Sequence, residues 1–130
     1  MAPTAAPSHA PRTFVRYWLP VAAYVGVILT LSAQPNLKPP VEFFNADKVA
    51  HILEYGGLGV LLARASRAQF RQRFAFRAAL LALAIGAAVA AGDEVFQSFI
   101  PGRDSSVFDW TADTIGLLLA QIAYLIFARD

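Results

Sequence analysis

Four long, mainly apolar stretches, at residues 17–33, 47–65, 78–100 and 107–128, occupy most of this 130-residue chain. A helix rises about 1.5 Å per residue and the hydrocarbon core of a bilayer is about 30 Å thick, so each stretch can cross as a helix. Composition agrees. Hydrophobic residues make up 57% and charged residues 15%, against about 25% charged in an ordinary soluble domain. Too few polar groups remain to cover a water-facing surface, which excludes a soluble enzyme. The reading is therefore all-α, an integral membrane four-helix transmembrane bundle. The chain has no cysteine, so it has no disulfide, no thiolate nucleophile and no Cys-ligated zinc or iron–sulfur site.

Residues 1–13 are rich in Pro, Ala, Ser and Thr and cannot bury enough apolar surface to offset chain entropy. They are predicted to form a disordered cytoplasmic tail, with one membrane domain over 14–130. The stretch Tyr17 to Ala33 is longer than a signal-peptide core, and Leu31-Ser32-Ala33 is a poor cleavage site, so it reads as a retained first helix. Tyr17 and Trp18 suit the membrane interface, and Pro20 falls near the start, where its missing donor costs little. The second stretch, apolar from Val49 to Ala65, carries Gly56, Gly57 and Gly59. In the third, Ala78, Ala82, Gly86 and Ala90 recur every four residues, and in the fourth Gly116 and Ala120 repeat that spacing. Small residues aligned in this way mark faces where helix backbones approach closely. The connections are short, and Pro101-Gly102 opens a tight turn. No internal repeat and no second domain are visible.

The charges are unevenly distributed. Arg12, Arg16, Arg64, Arg67, Arg71, Arg73, Arg77 and Arg129 all precede, follow or connect the stretches on one side, where Asp130 is the only acid. The positive-inside rule places that side in the cytoplasm, giving four spans with both termini inside. The other side then holds Lys38, Lys48 and Arg103 with eight acids. The formal net charge of +2 conceals a basic inner end and an acidic outer one. The basic connection, interleaved with Phe70, Phe74 and Phe76, is a topology signal first and a contact for anionic lipid head groups second. Nothing in the pattern points to nucleic acid, and a homo-oligomer stays open.

Ionisable residues inside a span cost about 2.5–3.5 kcal/mol each at the centre on insertion scales, so a cluster of them is by default a paired, water-accessible site. Asp47, His51 and Glu54 recur at i, i+4 and i+7 on one helical face, and Asp109, Asp113 and Gly116 repeat that spacing. Asp93, Glu94 and Gln97 arrive from the third stretch, and the turn Pro101-Gly102-Arg103 lies above them. Structural roles compete for several of these residues. Ser106-x-x-Asp109 fits a capping box, and Asp47 can cap the second helix. Lys48 and Asp104 can be solvated interfacial charges. Arg103 can anchor its turn against Asp109 or hold a phosphate or carboxylate in its planar fork.

Three ordered blocks, Asp47-Lys48-x-x-His51-x-x-Glu54-Tyr55, Gly92-Asp93-Glu94-x-x-Gln97 followed by Pro101-Gly102-Arg103, and Ser106-x-x-Asp109-x-x-x-Asp113-x-x-Gly116, resemble the VanZ-like family of small bacterial membrane proteins. The resemblance spans about residues 47 to 120, with Ala120 where a second glycine is common. It implies a cell-envelope role in the bacterial inner membrane, linked to low-level resistance to the glycopeptide teicoplanin. It also implies kinship with membrane-embedded proteins that act on lipid head groups.

The leading expectation is a hydrolase or head-group transferase acting at the outer leaflet on a phosphate-containing or lipid-linked head group. His51 would be the general acid or base, with Glu54 orienting it or holding its counter-charge. Arg103 and Lys48 would bind the anion. Asp93, Glu94, Gln97, Asp109 and Asp113 would position a nucleophile, a water or a divalent cation, with Asp47, Gln97 and Asp113 also on the substrate-binding side, and no ligand spacing assigns a metal. The rival is a non-catalytic binder of a lipid-linked wall precursor or glycopeptide, using the same residues. A transporter needs polarity across the membrane, and the inner half of the spans offers only Gln121.

Overall fold

A computed structural model describes residues 10–70 and 74–128. It contains helices α1 (Ala10–Ser32), α2 (Ala46–Gln69), α3 (Ala75–Gln97) and α4 (Val107–Phe127), and no strand among the described residues. Helix α1 begins at Ala10, inside the segment expected to be a tail, so Pro20 lies within the helix and not near its start. Residues 1–9 of that segment, together with Arg71, Arg73, Arg129 and Asp130, lie outside the described residues. Helix α3 ends at Gln97, three residues short of the expected boundary, and a turn follows.

Three helices are long and apolar enough to cross a membrane, over Arg12–Ser32, Ala75–Gln97 and Val107–Phe127. Helix α2 does not meet that standard, so three of the four expected spans are apolar enough to cross on their own. The difference has a packing reason. Helix α2 is the central element, in contact with α1, α3 and α4, while α1 touches α3 only lightly. It carries Asp47, Lys48, His51 and Glu54 in its first half and Arg64 and Arg67 in its last turns. A helix enclosed by three others meets protein on most sides, and its polar side chains find partners there.

The small-residue stripe of α3 is buried, as its spacing predicts: Ala78, Ala82 and Ala90 are fully covered, and Gly86 lies against Leu117 of α4. A Cβ on Gly86 would come within 2.8 Å of Leu117 Cδ1. Helices α2 and α4 approach more closely still. Gly116 faces the carbonyl oxygen of Ile52 and lies where a Cβ would sit 2.9 Å from the backbone nitrogen of Gly56. One turn further along, Gly59 lies opposite Ala120, whose Cβ fills the space that a side chain on Gly59 would need. This is backbone-to-backbone packing through small residues, the contact available where lipid supplies no hydrophobic drive between helices.

The bundle has two unlike ends. At one, Arg64 lies over the Tyr17 ring at 5.0 Å and Arg67 over the Tyr124 ring at 4.9 Å. Arg67 also donates to the Ala128 carbonyl at 2.9 Å. At the other end the α1–α2 and α3–α4 connections meet. Asn36, at φ 57°, rests its side-chain amide against Gly102, whose φ of 79° favours glycine. Arg103 donates to the Leu37 carbonyl at 3.3 Å.

Candidate functional site

Beneath those two connections lies a chamber of about 850 Å³. Its wall takes Asp47, Lys48, His51 and Glu54 from α2, Gln97 from α3 and Asp109 from α4, and Gly102 and Arg103 come from the roof. Seven of the ten candidate residues therefore face one space. The other three, Asp93, Glu94 and Asp113, do not line it and are buried at the same end of the bundle.

Lys48 and His51 meet successive acids of α4, one turn apart, because the two helices run parallel at close range. Lys48 forms an ion pair with Asp109 and a second with Asp47 at 2.7 Å. His51 Nδ1 lies 2.7 Å from Asp113 Oδ1, and Nε2 lies 3.8 Å from Asp109 Oδ1. The carboxylate that holds the imidazole is thus Asp113, not Glu54. With Asp113 ionised, Nδ1 donates and Nε2 is the nitrogen left to accept. Glu54 is tied by its backbone alone: Tyr24 donates to its carbonyl at 2.8 Å. Its side chain lines the chamber.

The buried acids are fixed by neighbours from other helices and from their own, among them one residue, Ser32, that the sequence did not single out. Tyr55, fully buried, donates to Asp93 Oδ2 at 3.0 Å, and Gln97 donates to the same oxygen at 3.3 Å and to Ser32 Oγ at 3.2 Å. Tyr55 had a legible signal, since it lies four residues after His51 and so one turn along the same face. Ser32 had none, being a lone serine at a helix end. Glu94 Oε2 accepts from the backbone N–H of Ser106 at 3.1 Å.

That last bond settles the capping question. Ser106 Oγ accepts from the Asp109 N–H at 3.1 Å, the forward half of a capping box. The return half, a donation from the Ser106 N–H, goes to Glu94 of α3 and leaves Asp109 for Lys48. The proposed cap at Asp47 is absent: Asn45 precedes α2 in a left-handed conformation with no side-chain cap, and Asp47 pairs with Lys48. Arg103 does not anchor against Asp109. It has no carboxylate within 4.0 Å among the described residues, and one of its five donors is used on Leu37.

A helical membrane protein with a polar, acid-rich chamber at one end of its bundle is the class these features define. The chain belongs to the VanZ/LLP1 family, whose profile matches residues 6–128. No curated protein and no solved structure matches it closely enough to count as a relative.

Proposed function

We propose that this protein binds and acts on a phosphate-containing or lipid-linked head group at the outer leaflet of the bacterial inner membrane. In this reading α2 is the fourth span, both termini are cytoplasmic, and the chamber opens outward. The observation that carries the reading is the pairing pattern in the chamber. Lys48 is neutralised by Asp47 and Asp109, while Arg103 projects from the roof with no carboxylate partner among the described residues. A guanidinium fork above an imidazole and a carboxylate suits a phosphate oxygen better than a neutral group. His51 and Glu54 on the wall are the groups able to exchange a proton with the bound head group. Membership of the VanZ/LLP1 family supports a role in the cell envelope, where altered head groups or wall precursors would also change the response to teicoplanin.

Mass spectrometry of envelope lipids and wall precursors tests the proposal, comparing cells that lack the protein with cells that carry it or its His51→Ala variant. One head-group species should fall and its product rise only with the unaltered protein. Identical profiles in all three, with head-group binding retained, would mean a binder and not an enzyme.

A further inference from the structure

We infer that His51 of α2, Glu94 of α3 and Asp113 of α4 form a binding site for one divalent cation beside the chamber. The inference goes beyond head-group chemistry and does not depend on it. Each of the three residues offers one ligand atom, and these atoms all lie within 4.8 Å of one another. Metal–ligand bonds of about 2.0–2.2 Å set three donors about 3–3.7 Å apart, so the three close on a cation with side-chain shifts of up to about an ångström.

A second, independent observation points the same way. Glu94 Oε1 and Asp113 Oδ2 are buried and have no hydrogen-bond partner, in residues that are 7% and 0% exposed. In both carboxylates the other oxygen is held. Glu94 Oε2 takes the Ser106 N–H, and Asp113 Oδ1 faces His51 Nδ1. The two oxygens of a carboxylate share one carbon, so each orphan oxygen lies beside the one that is held, in a residue that belongs to the triad. One oxygen oriented by the protein and one left open is how ligating carboxylates are set up. An unpaired buried carboxylate oxygen is costly, and a cation satisfies two of them at once.

Charge supports this. Asp93, Glu94, Asp109 and Asp113 are all buried at this end of the bundle, and Lys48, the lysine paired with Asp109, is shared with Asp47. The donor set narrows the ion. One imidazole with two carboxylates, and no thiolate, suits Mn²⁺ or Zn²⁺ better than Ca²⁺ or Cu⁺. Three protein ligands leave coordination positions open, and His51, 16% exposed at its side chain, is the member of the triad that lines the chamber. With a cation bound, His51 serves as a ligand and Glu54 is the wall group that exchanges protons.

Mn²⁺ alone is the probe, added to the full-length purified protein in detergent and followed by electron paramagnetic resonance. One Mn²⁺ should bind per chain, with nitrogen modulation in its spin-echo spectrum from a single imidazole. Asp113→Asn and Glu94→Gln should each weaken binding at least tenfold, while Glu42→Gln, at an exposed site outside the chamber, should not. The nitrogen signature is read on the unaltered protein, so a variant that fails to fold does not spoil the test. No saturable binding, binding without nitrogen modulation, or full binding in Asp113→Asn would each overturn the inference. Lipid profiles are measured separately, so head-group turnover without Mn²⁺ binding would sink the cation site and leave the functional proposal standing.

Discussion

His51 and Asp113 meet at 2.7 Å because their helices touch one turn further along, where Gly116 of α4 lies against the Ile52 carbonyl of α2. Backbone cannot rotate aside as a side chain can. Gly116→Ala should therefore push the helices apart, at about 1–3 kcal/mol for overpacking, and pull the imidazole from its carboxylate. Thermal unfolding in detergent should show a clear fall in Tm. Gly92→Ala is the control: a Cβ there meets nothing within 4 Å. It should hold or raise Tm, since alanine favours a helix over glycine by about 1 kcal/mol. Equal losses in both variants would show that the α2–α4 contact is not special.

Gly59 and Ala120 offer a compensation test at the same interface. A Cβ on Gly59 would lie 2.6 Å from Ala120 Cβ and 3.2 Å from Leu117 Cα. Gly59→Ala should destabilise the bundle, and adding Ala120→Gly should recover part of the loss, the rest being the Leu117 backbone contact. Additive effects in the double variant would rule out direct contact between these positions.

Tyr55→Phe removes one of two donors to Asp93 Oδ2 in a fully buried setting. Leaving a buried carboxylate short of a donor costs about 1–3 kcal/mol, so a drop in Tm is expected with no change in helix content. A further Asp93→Asn substitution should not add a full second penalty, because both residues serve one bond. Circular dichroism with thermal melts checks both outcomes.

Arg103→Ala should weaken binding of a phosphate-containing head group about tenfold or more, since a hydrogen bond to a charged group contributes about 1.5–3 kcal/mol. Arg103→Lys keeps the charge but not the planar fork and should fall between. Titration with a short-chain phospholipid reads this directly. Unchanged affinity in Arg103→Ala would remove the roof arginine from anion recognition.

Single cysteines in this cysteine-free chain test whether α2 crosses the membrane. Glu42→Cys and Asp104→Cys should react with an impermeant reagent on intact cells, and Gln69→Cys only after the cells are broken. Labelling of all three from outside would show that α2 does not span. The reverse pattern would turn the chamber toward the cytoplasm.

Several site features follow from spacing along single helices. The i, i+4, i+7 run of Asp47, His51 and Glu54 puts them on one face, and the structure finds all three on the chamber wall. The alanine and glycine stripe of α3 marks a packing face, and it is buried. Ser106 reads as a helix cap, and it caps α4. Partners across helices are less legible. His51 pairs with Asp113 and not with Glu54, although Glu54 is nearer in sequence. The N–H of Ser106 bonds to Glu94, twelve residues back, and not to the Asp109 of its own motif.

Apolar length and periodicity are local properties, so the order of residues alone was enough to establish an all-helical chain, its packing faces and the set of polar residues gathered at one end. Which helix lies in the centre, and which carboxylate meets which donor, came only with the folded bundle. Those depend on how closely α2 and α4 approach and at what register. That register is decided where Gly56, Gly59 and Gly116 let two backbones touch, a contact between residues about sixty positions apart that no single-helix pattern encodes. The same contact explains why the least apolar helix holds the middle of the bundle: its polar side chains are answered there by Asp93 of α3 and by Asp109 and Asp113 of α4.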